Sequence, residues 1–188
     1  KSACFRVGTE TLRIKAAGTA VFAAVTAALS HLQIEEKSFP GLTLHVWEKD
    51  GDAGVDWTAI GGFEKGQSVN LRLKAENGEF FAMTQPANRT SYVADLQNRN
   101  AYCEIASLRE WPPWEAAAPF RPLIGSWLAQ HGFCLIHAAC VGWNERALLL
   151  AGPGGSGKST TAYTCAAHGW TYYADDFALL RMTGSVPE

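Results

Sequence analysis

Residues 146–160 read RALLLAGPGGSGKST and join a short apolar run to a glycine-rich segment that ends in a lysine and two hydroxyl residues. Within this stretch, residues 152–159 match the Walker A pattern G-x-x-x-x-G-K-[ST] at every fixed position. The apolar run is too short for a helix and predicts a strand. The residues after the loop predict a helix of about three turns that ends at Gly169. The stretch therefore predicts a strand, a phosphate-binding loop and a helix in succession, as in an α/β fold.

The glycines of this loop allow it to surround a polyphosphate. Without a Cβ, glycine reaches backbone angles at which successive N–H groups converge on one anion. Lys158 would place an ammonium beside the β- and γ-phosphates, the Ser159 hydroxyl suits a Mg²⁺ ligand, and the helix N-terminus adds positive charge. We expect the nucleotide site to include the whole loop: Gly152, Pro153, Gly154, Gly155, Ser156, Gly157, Lys158, Ser159 and Thr160. A glycine-rich turn without a ligand is the alternative interpretation.

An acidic pair follows the predicted helix. Residues 170–174 (WTYYA) predict a buried strand, and Asp175 and Asp176 come at its C-terminal end, where open α/β sheets bind their ligands. Because side chains alternate along a strand, the two carboxylates would have different roles. One can hold Mg²⁺, and the other can accept a proton from an attacking hydroxyl. A solvated turn at a strand end is the alternative.

A histidine upstream of the loop is a further candidate. His137 lies in the apolar segment 133–141, which predicts another strand, buried on at least one face. It is either a functional group or a core residue, and the residues around it leave both interpretations open. Cys134 and Cys140 flank it too loosely to indicate a metal site. The five cysteines include no CxxC motif, which favours reduced thiols and a cytoplasmic location.

The composition excludes several classes of protein. The chain has 188 residues, and 47% of them are hydrophobic, which is typical of a globular protein and not of a disordered or fibrous one. Its formal net charge of −2 provides no basic field, so we expect neither nucleic acid nor a membrane as a partner. The most apolar stretch, residues 16–32, is rich in alanine and falls short of a membrane span.

A change in composition divides the chain near residues 111–114 (WPPW), where two prolines favour an extended connection. Residues 1–115 predict a small, mainly antiparallel α+β domain with alternating strands and one helix over residues 20–32. The strands are expected near residues 11–15, 42–46 and 69–74, with turns at Gly51, Gly54, Gly61, Gly62, Gly66 and Gly78.

The second part, residues 116–188, carries few charges and predicts the more buried domain. It opens with a short helix from Pro122 to a stop at Gly132. The strands and the phosphate-binding loop described above follow this helix.

Three segments, in this order and spacing, resemble the C-terminal catalytic domain of the HPr serine kinase/phosphorylase family. They are residues 136–139 (IHAA), 148–160 (LLLAGPGGSGKST) and 174–176 (ADD). The short interval between the Walker A loop and the acidic pair distinguishes this family from many other P-loop enzymes. The resemblance covers about residues 133–180. Residues 1–115 are more similar in layout to HPr-kinase-related proteins, some of which phosphorylate ribosomally made peptides such as lasso-peptide precursors.

The resemblance implies a P-loop kinase core of HPr-kinase type in residues 116–188. It implies ATP and Mg²⁺ as cofactors and, as partner, a protein or peptide that bears an acceptor serine. The family's domain continues well past the position of Glu188, so an incomplete kinase domain is expected here. Members of the family assemble as hexamers, which makes a homo-oligomer a further expectation.

The resemblance also assigns roles to individual residues. Asp176 is similar to the residue that activates the acceptor hydroxyl, and Asp175 is similar to its neighbour on the metal side. Lys158 and Ser159 take the positions of the phosphate ligand and a Mg²⁺ ligand, and His137 takes that of a histidine close to the phosphoryl group. The expected catalytic set is thus Asp176, Asp175, His137 and Lys158, with Ser159 and Asp175 at the metal.

Other functions fit the glycine-rich loop alone. A P-loop ATPase of transporter or motor type would use the same loop without a hydroxyl acceptor, although an LSGGQ-like segment of the ABC type is absent from the sequence. A small-molecule kinase, or a relative of phosphoenolpyruvate carboxykinase, would also transfer phosphoryl groups. A third alternative is a nucleotide-binding docking module without catalysis, in which residues 1–115 contact a peptide or partner protein.

Overall fold

The computed structural model describes residues 1–49, 69–75, 78–85, 87, 89–183 and 186–187. Within these ranges the chain is a mixed α/β protein with a large mixed sheet. Its contacts divide it into two compact units, Lys1–Leu123 and Ile124–Glu188. The functional assignment of an N-terminal domain over residues 1–115 and an ATP-binding domain over residues 116–188 stays a prediction.

The first unit contains an eight-stranded sheet with the order β3-β1-β2-β4-β8-β7-β6-β5. The strands are β1 Ser2–Val7, β2 Glu10–Ala16, β3 Gln33–Ile34, β4 Leu42–Glu48, β5 Val69–Ala75, β6 Gly78–Gln85, β7 Thr90–Asp95 and β8 Asn100–Ile105. Strand β4 runs parallel to both β2 and β8, and the remaining neighbours are antiparallel. The mainly antiparallel character that the sequence predicts is therefore confirmed, with a parallel centre that it does not predict.

Alternation of side chains explains why these segments form a sheet with one buried face. Leu12 and Ile14 on β2, and Leu42 and Leu44 on β4, are completely buried, whereas the residues between them are more polar. The predicted helix is confirmed as α1, Thr19–Thr26, which buries Val21 and Val25 and continues as a 3₁₀ helix over Ala27–Leu32. The predicted turns at Gly51, Gly54, Gly61, Gly62 and Gly66 lie outside the described residues, and Gly78 is the first residue of β6.

The proline-rich connection is helical in part. After a 3₁₀ turn over Leu108–Glu110, Pro112 has the predicted extended conformation, but Pro113 begins helix α2, Pro113–Ala117. The expected extended connection is therefore confirmed at Pro112 and wrong from Pro113 on. Proline is accepted at the first position of a helix because the N–H that it lacks has no partner within the helix.

Helix α2 buries a carboxyl group. Glu115 is completely buried, and its Oε1 accepts hydrogen bonds from the Tyr92 hydroxyl at 3.2 Å and from the Phe120 N–H at 3.3 Å. The Arg121 guanidinium lies 3.8 Å from its other oxygen. Burial raises the pKa of Glu115, and the hydrogen bonds and Arg121 oppose that shift. This carboxyl group anchors α2 to β7.

The second unit contains two three-stranded sheets, with the orders β11-β10-β12 and β14-β13-β9. Its strands are β9 Phe133–Ile136, β10 Ala138–Trp143, β11 Arg146–Ala151, β12 Thr171–Ala174, β13 Ala178–Thr183 and β14 Val186–Pro187, and its long helix is α4, Lys158–Ala167. Helix α3, Arg121–Ala129, precedes β9 and has Leu123, Ile124, Trp127 and Leu128 buried, as its apolar stripe predicts. The helix ends at Ala129, three residues before the predicted stop, and turns continue to Gly132, which has a positive φ of 79°.

The predicted strand over residues 133–141 is two strands, and the single-strand expectation is wrong. The chain bends at His137, between β9 and β10, which belong to different sheets. The chain opposite also bends, between β12 and β13, since β9 pairs with β13 and β10 pairs with β12. The strand is divided because both chains, β9 to β10 and β12 to β13, pass from one sheet to the other at His137.

Burial in the second unit is lower than the sequence predicts. Strands β11 and β12 are largely exposed, including Leu148 at 46% and Tyr173 at 62% exposure. The expectation that they are buried is wrong, because both strands lie at the edges of a sheet of three. Over the described ranges, none of the helices has the length and apolar character needed to cross a membrane.

Candidate functional site

The predicted strand, loop and helix are all present, as β11, residues 152–157 and α4. Gly155 and Gly157 have φ values of 76° and 88°, which glycine adopts without strain. A Cβ on Gly152 would lie 2.8 Å from the Ser156 hydroxyl oxygen, so that side chain would have to turn away from any larger residue here. Gly157 is the N-cap of α4, and Lys158 is the first residue of the helix. The loop therefore turns directly into a helix N-terminus, as a phosphate-binding loop must.

The Lys158 ammonium folds back over the loop. It donates hydrogen bonds to the Gly152 carbonyl at 2.9 Å and to the Pro153 carbonyl at 3.1 Å. The loop is further closed by the Ser156 N–H, which donates to the Pro153 carbonyl at 3.2 Å. Gly154 and Gly155 are exposed at the tip, and Thr160 lies in the first turn of α4. The ammonium is thus held by carbonyls at the start of the loop.

Strand directions place the acidic pair beside this loop. Both β11 and β12 run antiparallel to β10, so β11 and β12 point the same way. Their C-terminal ends, followed by Gly152 and by Asp175, therefore reach the edge of the sheet at which β10 begins. His137 immediately precedes β10. Three separate segments of the chain converge at this edge.

Asp175 lies on the side of the loop and helix. The Ser159 hydroxyl is 3.4 Å from the Asp175 backbone carbonyl, to which it donates. The Asp175 Oδ2 accepts a hydrogen bond of 3.3 Å from the Tyr163 hydroxyl, one turn further along α4. The predicted pair of metal-side residues, Ser159 and Asp175, is therefore adjacent in the structure.

Asp176 lies on the side of the histidine. Its Oδ1 is 3.0 Å from His137 Nε2, and the two side chains are 61% and 52% exposed. The His137 ring also stacks on Phe177, with 5.3 Å between ring centroids and 27° between planes. His137 is therefore not a core residue, because its exposed side chain contacts the Asp176 carboxylate at the edge of the sheet. The two aspartates have different partners, and their two roles stay a prediction.

The donor set at this edge fits Mg²⁺ held mainly by phosphate oxygens. Mg²⁺ in phosphoryl-transfer sites keeps waters and takes one or two protein oxygens together with oxygens of the substrate. The Ser159 hydroxyl and the Asp175 carboxylate are oxygens of this kind, but the contact between the two residues runs from the hydroxyl to the Asp175 backbone carbonyl, and the carboxylate accepts from Tyr163. Among the described residues there is no group of three or more His, Cys, Asp or Glu side chains that would hold a metal by themselves. A metal at this edge would therefore need further oxygens from a ligand.

Sequence reasoning missed three aromatic residues at the site. Tyr163 and Tyr172 stack face to face at 5.4 Å with 7° between their planes, and Phe177 supports His137. The position of Tyr163, four residues after Ser159, was the available signal, since residues four apart share a helix face. Burial, together with hydrogen bonds to Tyr163 and Asp175, raises the pKa of Tyr172.

A small apolar core holds α4 on the sheet. Ala139, Val141 and Ala162 are completely buried, and Leu150, Cys165 and Trp170 pack against them. Small residues at these positions allow the helix to approach β10 closely. Trp170 also stacks on Trp143, with 5.5 Å between ring centroids. This core fixes the start of α4 relative to the ends of β11 and β12.

Comparison of the chain with protein-family models, with curated proteins and with solved structures finds no match.

Proposed function

We propose that this protein is an ATP- and Mg²⁺-dependent kinase that transfers the γ-phosphoryl group to a serine hydroxyl of a small protein or peptide. Its second unit would be part of a P-loop kinase core of HPr-kinase type. The observation that carries the proposal is the convergence of a Walker A loop, a Ser159–Asp175 contact and an Asp176–His137 pair at one edge of a sheet. An ATPase needs the loop and a carboxylate, but two carboxylates with separate partners suit a reaction that also deprotonates a hydroxyl.

The loop and the start of α4 would bind the triphosphate. Backbone N–H groups around Gly155 and Gly157 and the helix N-terminus provide donors and positive charge. Lys158 would exchange its two carbonyl partners for phosphate oxygens, which accept stronger, charge-assisted hydrogen bonds. Mg²⁺, held with the phosphates by Ser159 and Asp175, would neutralise charge on the β- and γ-phosphates.

Asp176 would take the proton of the acceptor. As the serine Oγ forms its bond to the γ-phosphorus, the bond from that phosphorus to the β-γ bridging oxygen breaks, and ADP leaves with its electron pair. The hydroxyl proton passes to the Asp176 carboxylate, whose Oδ1 His137 orients at 3.0 Å. Both side chains are more than half exposed, so an acceptor serine can reach them from solvent.

The proposal places the reaction in the cytoplasm, where ATP is available. The five cysteines are free thiols, in keeping with a reducing compartment. The acceptor is a serine-bearing protein or peptide and not a nucleic acid, because the chain has a net charge of −2.

Calorimetry with ATP and Mg²⁺, followed by transfer of labelled phosphate from ATP to an array of serine-containing peptides, tests the proposal. The protein should bind ATP with Mg²⁺ and label serine peptides but not the matching alanine peptides. Lys158→Ala should lose both properties, whereas Lys37→Ala, which changes an exposed lysine of the first unit, should keep them. Release of inorganic phosphate at full rate without any peptide labelling would favour a P-loop ATPase. No ATP binding at all would favour a docking module.

A further inference from the structure

The open face of the eight-stranded sheet carries a groove that the proposed reaction does not use. It has a volume of about 680 Å³, within the range of about 300–1,000 Å³ that is usual for ligand sites. Residues of four neighbouring strands, β1, β2, β4 and β8, line it together with the chain that follows β2. It lies wholly within the first unit.

A single row of side chains crosses this groove. Ser2 is paired with Lys15, Lys15 with His45, and His45 with Tyr102, each on the next strand of the sheet. Three inter-strand spacings of roughly 4.8 Å make the row about 14 Å long. At about 3.4 Å per residue, an extended peptide of roughly four residues spans that distance.

One end of the row is cationic. Lys1 and Lys15 both line the groove and are exposed, and none of its described lining residues is a carboxylate. Two carboxylates border it: Glu36 accepts a hydrogen bond from the Ser2 hydroxyl at 3.3 Å and lies 3.4 Å from Arg13, and Glu104 accepts one from the Trp47 indole at 3.2 Å. Among the described residues, neither Lys1 nor Lys15 forms an ion pair with a carboxylate, so these two ammonium groups are available to an acidic ligand.

The other end of the row is aromatic, and the orientation of its two rings favours one kind of ligand group over another. The His45 and Tyr102 rings stack on each other with 5.1 Å between centroids and 19° between planes, and Tyr102 is 43% exposed. Rings stacked across neighbouring strands present their edges, not their faces, to the groove. Ring edges carry partial positive charge, which suits carboxylate oxygens, whereas a nucleobase would need an open ring face.

We propose that this groove binds a short acidic peptide segment in an extended conformation. Carboxylates of the segment pair with Lys1 and Lys15 and approach the edges of the His45 and Tyr102 rings. Two lysines are too few for the several phosphate contacts from which nucleic-acid binding draws its affinity. Because binding here needs neither ATP nor the residues around Lys158, it does not depend on the proposed kinase activity.

Fluorescence anisotropy with two short labelled peptides tests this inference. One peptide alternates Glu and Phe, and its matched control carries Gln in place of each Glu; no nucleotide is added. The Glu peptide should bind about ten-fold more tightly than the Gln peptide, and added salt should weaken that binding. Lys15→Glu should lower its affinity about five-fold or more, and Lys15→Gln should have a smaller effect in the same direction.

Lys37→Glu is the matched variant, because it makes the same change of charge at an exposed lysine outside the groove. Its affinity for the Glu peptide should stay within about two-fold of that of the unaltered protein. Equal affinities for the two peptides, or an equal loss in the Lys15→Glu and Lys37→Glu proteins, would overturn the inference. So would tighter binding of a short labelled oligothymidylate than of the Glu peptide, since the groove would then be a nucleic-acid site.

Discussion

Replacing Asp176 by Asn separates a catalytic role of the His137–Asp176 pair from a structural one. Asn keeps the size of the side chain and removes its charge, so it cannot accept a proton from an acceptor hydroxyl. The two side chains are 52% and 61% exposed, and solvent screens their attraction even at 3.0 Å. An ion pair of that exposure contributes about 0.2–1 kcal/mol to the free energy of unfolding. For a chain of this length, that corresponds to a fall in melting temperature of at most about 4 °C.

The effect on phosphoryl transfer should be much larger. Loss of a general base lowers a rate by about 10²–10⁴, which is roughly 3–5 kcal/mol of transition-state stabilisation. Single-turnover transfer of labelled phosphate to serine peptides measures this rate, and thermal unfolding measures the stability of the same sample. We expect transfer to fall by at least two orders of magnitude in a protein whose melting temperature barely moves.

Glu110→Gln provides the matched control. Glu110 forms an ion pair with Arg89 at 2.6 Å, and these side chains are 57% and 46% exposed, much like the pair at the site. This variant should lose a similar small amount of stability and keep full transfer activity. If Asp176→Asn retains more than about a tenth of the activity, Asp176 is not the base. If its melting temperature falls by about 10 °C, the pair is a structural element and the reasoning from exposure fails.

Three further predictions concern other contacts. Tyr163→Phe removes the hydroxyl that donates to Asp175, and it should weaken ATP binding about five-fold in the presence of Mg²⁺ but not in its absence. An equal loss of ATP affinity in both conditions would contradict a role of Asp175 at the metal. Gly142→Ala would place a Cβ 2.5 Å from the Tyr173 ring, but that ring is 62% exposed and can turn away, so the free energy of unfolding should fall by less than about 1 kcal/mol; a fall of more than about 2 kcal/mol in urea unfolding would contradict this reasoning. Burial raises the pKa of Glu115 above its usual value, so this group contributes most stability at acid pH and loses that contribution as pH rises through the folded-state pKa. In urea unfolding, the unaltered protein should therefore lose stability relative to Glu115→Gln as pH rises. The opposite slope would refute the direction of the shift.

The sequence predicts local structure well where one short segment contains all the residues that determine its conformation. The loop around Gly155 and Gly157 needs left-handed backbone that glycine provides, so its position and its junction with α4 could be read from residue order. The exposed face of β12 could not be predicted, because Tyr172 and Tyr173 look apolar in sequence and their burial depends on how many strands the sheet has. The pairing of His137 with Asp176 likewise depends on a contact between segments far apart in the chain.

The geometry of the acidic pair depends on where strand pairing stops. The pair Cys140–Ala174 continues the register of β9 and β13, which shifts by one residue only beyond Cys140, so one continuous ribbon would place Phe177 opposite His137. In such a ribbon, Asp175 and Asp176 would project to opposite faces of the sheet, and only one could reach a nucleotide. Pairing is instead interrupted between Ile136 and Cys140, and the chain bends at both aspartates. Because pairing is interrupted here, the two side chains do not have to alternate between the faces of the sheet. The Asp175 carboxylate contacts Tyr163 on α4, and the Asp176 carboxylate contacts His137. A substitution that extends the pairing through this segment should therefore separate the carboxylates without touching the glycine-rich loop.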